Sequence, residues 1–266
     1  MNSVELAREI RKSSVGMVYR AHSSHIGSAL SMTDILAVLY ADILRYDAKN
    51  PKDPDRDRFL LSKGHACVAF YSVLALCGFY PVKDLEKFAA EGSVFLTDTS
   101  YQVPGVELSA GSLGHGLPVA CGIALAAKRK HKGFKTYVIV GDGEMDEGSN
   151  WEALLFGAHE KLNNLCLIID YNKLQALGYT NEILNLEPLK SKLQAFNWNV
   201  LDIDGHNHEQ IRDAFSNFLS EETKPTAIIA NTVKGKGVSF MENELFWHYH
   251  SPNEEEYLKA MEELNK

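Results

Sequence analysis

The segment "TYVIVGDGEMDEG", Thr136 to Gly148, runs a β-branched apolar stretch into a glycine turn that carries Asp142, Glu144, Asp146 and Glu147. A glycine turn after a strand ordinarily receives a phosphate, and bare carboxylates would repel one. A divalent cation between them reverses the sign, because Mg2+ takes oxygen ligands and is commonly shared between one or two carboxylates and substrate phosphates. The spacing is not G-x-G-x-x-G, since Gly148 comes two residues too late, so a dinucleotide site is a poor match. Asp142 therefore reads as a metal ligand, with Gly141 and Gly143 letting the backbone approach a diphosphate. A second oxygen ligand comes from "LCLIIDYNKLQALG": Asn172 follows the next apolar run, 30 positions after Asp142, and the Leu174 carbonyl is a third.

The elements that must hold these groups show two rhythms. Helical periodicity covers the first twenty residues, "SMTDILAVLYADIL" with Ser31 as cap and Asp34 as its capping-box acid, His65 to Leu76, and Leu117 to Lys130. From Thr136 onward the runs "TYVIV", "LCLIID", "WNVLDI" and "TAIIAN" alternate with helical segments near Asn150 to Lys161, Pro188 to Phe196 and Glu209 to Leu219. That alternation predicts an α/β fold, a mostly parallel sheet with helices on both faces and ligands outside the carboxyl ends of its strands.

The chain has 266 residues and no internal linker, which fits one domain over 1–266 with a charged helical tail from about 252 to 266. The formal charge of -8 argues against general nucleic-acid binding. Cys67, Cys77, Cys121 and Cys166 lie singly in apolar runs, as reduced thiols would. The N-terminus is charged and amphipathic, without the apolar core of a signal peptide, so the expected location is cytoplasmic, with no membrane partner.

A GDG turn followed about thirty residues later by Asn after a strand is similar to the signature of thiamine diphosphate enzymes. Beyond it, "SSHIGSALSMTDILAVLY", "RFLLSKGHACVAFYSVL", "PGVELSAGSLGHGLPVACGIALAAK" and "PTAIIANTVKGKGVSFMENELFWH" occur in the order in which the N-terminal half of transketolase has them. The chain thus resembles the transketolase family, in the form where the enzyme is split between two polypeptides.

The resemblance implies a thiamine diphosphate-binding fold and transfer of a two-carbon ketol unit from a ketose, phosphorylated or similarly acidic, to an aldose with thiamine diphosphate and Mg2+. His65 and His248 match family histidines near the diphosphate and the reacting carbons, and His25 matches one that meets the sugar's oxygens. Gly111, Ser112 and Leu113 match the loop beside the aminopyrimidine, and Gly143 and Glu144 stand with Asp142 in the cofactor turn. Glu147 and Glu152 match interface acids, while Glu144 and Asp146 need no more than an acid-rich helix start. The other histidines, His22, His131, His159, His206, His208 and His250, keep surface or packing roles, and His115 has no catalytic role. "VKGKGVSF" looks like a mobile loop or a solvated basic turn.

Two departures concern the sugar. Counting back from Pro104, Thr97 takes the place of the family's histidine in a His-Pro pair, and Tyr249 replaces a small residue after His248. The family's pyrimidine-binding domain, with the glutamate that activates the cofactor, is expected on a separate C-terminal subunit, two copies of each chain assembling. The alternatives are the α-type subunit of a 2-oxo acid dehydrogenase or decarboxylase, and a non-catalytic cofactor-binding regulatory subunit.

Overall fold

The computed structural model describes residues 1–266. Helix α1 (Ser3–Ala21) begins at Asn2, whose side chain accepts from the Glu5 amide while Glu5 reaches back to the Asn2 amide, so two of the unpaired donors at the helix start are satisfied together. Two short helices follow, α2 (Ile26–Ser31) and α3 (Thr33–Val38), with a π-helical turn continuing α3 through Leu39–Ile43. The remaining order is β1 (Arg58–Leu61), α4 (Cys67–Leu76), α5 (Gly116–Arg129), β2 (Thr136–Gly141), α6 (Gly148–His159), β3 (Leu165–Tyr171), α7 (Thr180–Ile183), α8 (Leu189–Ala195), β4 (Asn199–Asp204), α9 (His208–Ser220), β5 (Thr226–Asn231) and α10 (Glu254–Leu264).

The five strands form one parallel sheet in the order β1-β2-β3-β5-β4. Strand side chains alternate between faces, and both faces are buried. Tyr137, Ile139, Cys166, Ile168 and Ile228 pack against α1 to α4, α9 and α10. Val138, Val140, Leu167, Ile169 and Ile229 pack against α5, α6 and α8. No helix is long and apolar enough to cross a membrane. Three of the four free cysteines are buried and Cys77 is partly exposed.

The α/β expectation holds, with two local differences. "RFLL" is a fifth strand, β1, lying beside β2; its four residues between charged loops are too short for their period to show. Ser31 is not a cap. It ends α2, and its hydroxyl donates to Asp170 at 2.5 Å, while Asp34 binds Arg11 and two histidines instead of closing a capping box.

Beneath the carboxyl edge of the sheet, Asp170 of β3 is fully buried. It accepts from the Lys63 ammonium, from the hydroxyls of Ser31 and Thr232, and from Asn172 Nδ2 at 3.2 Å. Burial alone would raise its carboxyl pKa; Lys63 and the two hydroxyls outweigh this and hold it below the ordinary value. Asp170→Ala would leave the Lys63 ammonium buried with only the Ser28 carbonyl, and the expected cost is about 3–5 kcal/mol of unfolding free energy. Urea denaturation measures it, and the double variant Lys63→Met, Asp170→Leu is expected to lose less than Asp170→Ala.

Candidate functional site

The carboxyl ends of four strands converge on a cavity of about 410 Å3. β1 delivers Lys63 and His65, β2 delivers Asp142, Gly143 and Glu144, β3 delivers Asn172, Leu174 and Gln175, and the chain beyond β5 delivers Lys234, His248 and Tyr249. His25 and Ser28 enter from the start of α2, and Gly111 and Leu113 from the loop before α5. At Gly143 a Cβ would stand 2.8 Å from Gln175 Cγ, so a side chain there would force the two strand-end turns apart.

Asp142 Oδ1 accepts from the Gly143 amide at 2.8 Å and Oδ2 from the Lys173 amide. Burial, with Asp170 nearby, pushes its pKa up to about 7. Asn172 has its amide oriented from both ends: Nδ2 donates to Asp170 and Oδ1 accepts from the Leu174 amide at 3.1 Å. The carboxylate, the amide oxygen and the Leu174 carbonyl make an all-oxygen donor set on adjacent strand ends, which fits a hard divalent cation and not zinc. A buried carboxylate raised this far gains most from a cation beside it.

Histidines 25, 65 and 248 form one group, with ring centroids 5.0 Å apart for His25–His65 and for His25–His248, and 6.0 Å for His65–His248. His25 starts α2 with φ 69°, a conformation rare outside glycine, and its amide donates to the His248 carbonyl at 2.8 Å. Burial, then the nearby Lys234, lowers the pKa of His248 to about 3. Burial lowers His25 and His65 as well, with Lys234 acting on the first and Lys63 on the second. All three imidazoles are therefore neutral at neutral pH, each with one N–H to donate and one nitrogen to accept.

Sequence reasoning missed the lysines. Lys63 and Lys234 are 2% and 1% exposed. Lys234 Nζ donates to the Leu174 carbonyl at 2.9 Å and to His248 Nδ1 at 2.9 Å, so "VKGKG" is neither a solvated turn nor free of attachment. For Lys234 the one signal was its place after an apolar run; for Lys63 there was none, since β1 is too short for its period to show. Glu144 is more than part of an acid-rich helix start, since it is buried and its carboxylate staples three segments. It accepts from Ser62, from the Gly114 amide at 2.8 Å and from the Gly141 amide at 3.2 Å.

Four expected residues lie off the cavity wall. Ser112 is exposed between two lining residues. Thr97 is exposed, and its carbonyl takes the Cys67 thiol; the residue of that segment that lines the cavity is its neighbour Asp98. Glu147 and Glu152 are exposed at the start and flank of α6, the latter beside exposed Leu155 and Phe156. Tyr249 lines the cavity, its ring 4.6 Å from that of His248.

Residues 3–264 match the family model described as transketolase, thiamine diphosphate binding domain. The chain is 42% identical over 256 residues to one of the subunits of an apulose-4-phosphate transketolase from Phocaeicola vulgatus, covering 96% of this chain and 91% of that one. It is 41% identical over 261 residues to the 6-deoxy-6-sulfo-D-fructose transketolase subunit SqwG of a Clostridium species, covering 98% and 95%. Among solved structures it is similar to transketolase from Campylobacter jejuni, with TM-score 0.93 and 34% identity over 100% of this chain and 43% of that one. The chain thus spans less than half the length of that enzyme.

The depressed histidines carry a stability signature. An unfolded histidine takes a proton near pH 6.5, whereas folded His248 does so only at about 3, so between these values the unfolded chain binds more protons and stability is lost as the pH falls. Asp142, shifted upward, contributes with the opposite sign, so the useful comparison is between chains that share it. Urea midpoints measured from pH 7.5 to 5 are expected to fall more steeply for the wild type than for His248→Gln. Parallel slopes would mean that His248 is protonated in the folded chain.

Proposed function

The chain belongs to the transketolase family, and on that premise we propose that it is the diphosphate-binding subunit of a two-chain transketolase, moving a two-carbon ketol unit from a ketose to an aldose with thiamine diphosphate and Mg2+. The observation that carries the reading is the meeting, in one cavity, of the oxygen set Asp142, Asn172 and Leu174 with the histidine group. The two subunit relatives act on sugars whose names carry a phosphate or a sulfonate, which supports an acidic ketose as donor.

In this reading Asp142, Asn172 and the Leu174 carbonyl would hold Mg2+, which would offset the charge of the diphosphate beside Gly143 and Glu144, while the Gly111 to Leu113 loop would flank the aminopyrimidine. Bound thiamine diphosphate supplies an electron sink for the pair released when the ketose C2–C3 bond breaks. His65 and Lys234 present donors to the cofactor's anionic end. His248 Nδ1 accepts from Lys234, so its proton sits on Nε2, ready to donate to a sugar oxygen. His25 meets the same oxygens from the start of α2. Being neutral, these imidazoles can stabilise an alkoxide by donating hydrogen bonds, and one whose second nitrogen is free can take the proton of the hydroxyl from which that alkoxide forms. Asp98 and Tyr249 face the sugar and set its choice.

The domain is the whole of 1–266, with α10 as the tail. The names of both relatives support a separate partner subunit, and the exposed Leu155 and Phe156 near Glu152 support a protein interface at α6; the assembly proposed is cytoplasmic, with two copies of each chain.

Asp142→Ala and Asn172→Ala are each expected to weaken cofactor binding at least about 100-fold in calorimetric titration of the assembled complex, because each removes an oxygen that holds the metal. Near-normal affinity in both would reject the assignment. Two-carbon transfer is expected only when the partner subunit is added; robust turnover by this chain alone would sink the two-chain reading. Tyr249→Ala should change the ratio of kcat/KM values across a panel of aldoses while leaving cofactor affinity intact, and an unchanged ratio would remove Tyr249 from the sugar site.

A further inference from the structure

Lys234 is held from behind by a buried charged cluster that does not reach the cavity. On one side of it the Val233 amide donates to His206 Nε2 at 2.8 Å, and on the other the Lys236 carbonyl accepts from Arg11 Nε at 2.9 Å. Both side chains converge on Asp34. Arg11 forks onto it at 3.0 Å and 2.6 Å, and His206 Nδ1 meets Oδ2 at 2.7 Å. The Val233 amide can only donate, so His206 Nε2 is unprotonated and the ring proton lies on Nδ1, pointing at Asp34. His208 adds a contact to Oδ1 at 3.1 Å and is itself set by Ser3 at 2.9 Å. The same loop is tied at Gly235, whose amide donates to the Gly27 carbonyl at 3.0 Å. Gly235 has φ 82°, and a Cβ there would stand 2.2 Å from the Met241 carbonyl oxygen, so the backbone has no slack.

A buried ion cluster is a weak source of stability, because apolar side chains of similar volume often serve as well. What it supplies is direction. None of Asp34, Arg11 and His206 lines the cavity, yet together they fix the amide of the residue before Lys234 and the carbonyl of the second residue after it.

We propose that Asp34, acting through His206 and Arg11, is the positioning residue of Lys234, setting the place of the ammonium that bridges the Leu174 carbonyl and His248 Nδ1. Its bearing on cofactor binding rests on the reading of the cavity given above; its bearing on the position of Lys234 does not.

His206→Leu removes both bonds, whereas His206→Gln restores the pattern, its amide NH2 donating to Asp34 and its oxygen accepting from Val233. In crystal structures of the cofactor-free chain, Lys234 Nζ should remain on the Leu174 carbonyl in the wild type and His206→Gln and leave it in His206→Leu. Exchange of the Val233 amide should accelerate in His206→Leu alone. In the complex with the partner subunit, His206→Leu and Asp34→Asn should weaken thiamine diphosphate binding about 10- to 100-fold by calorimetry, with His206→Gln near wild type. On a Lys234→Ala background His206→Leu should add nothing further, as coupled sites require. An ammonium still in place in His206→Leu overturns the proposal, and so does an undiminished loss on the Lys234→Ala background. If the wild-type complex binds no thiamine diphosphate, the cofactor reading fails, and the crystal structures and amide exchange still decide whether Asp34 positions Lys234.

Discussion

A single carboxylate buried under the carboxyl edge of the sheet organises everything above it. Asp170 has no solvent exposure, so each of its lone pairs must find a donor within the protein. The donors come from α2 through Ser31, from the end of β1 through Lys63, from beyond β5 through Thr232 and from its own strand through Asn172. These are the segments that carry His25, His65, Lys234 and two of the three candidate metal ligands, Asn172 and Leu174. One unsatisfied charge would cost several kcal/mol, so the convergence of the four segments and the satisfaction of Asp170 are the same event.

Above that floor the electrostatics divide by depth. Two lysines are buried and engaged, Lys63 with Asp170 and Lys234 with a carbonyl and an imidazole. Their charges, added to burial, keep the histidines neutral. The only carboxylate raised close to neutrality is Asp142, the one presented at the ends of β2 and β3 with oxygen donors beside it. A cation at that point and an anion beyond it would each relieve a cost already built into the folded chain. The next acid of the turn, Glu144, is absorbed by Ser62 and two backbone amides, so it ties the neighbouring loops together.

The cavity wall brings together oxygen donors, three neutral imidazoles and two buried ammonium groups. Among the exposed apolar side chains, Leu177 lines the cavity, and Leu155 and Phe156 stand together on α6. Surface of this kind is expected where another chain closes over a site.

Some of this was written along the chain. Asp142 and Asn172 were legible because each ends an apolar run, and in a parallel sheet a strand's end is a place in space as well as in sequence. Strands β2 to β5 and helices α1, α4, α5, α6 and α9 followed from periodicity for the same local reason. The strand β1 did not, being four residues long, and a count along the irregular loop from Thr97 to Pro104 carries no rotational phase, so it could not say that Asp98 would line the cavity. The buried charges were beyond reach altogether. Lys63 lies 107 residues from Asp170, Ser31 139, and His206 172 from Asp34, and a lysine or histidine bound for the interior looks the same in sequence as one bound for water. Local pattern determined which segments are strands and where they end; only the packed fold decided which polar side chains those ends would bury together, because desolvation is a property of the neighbours and not of the residue.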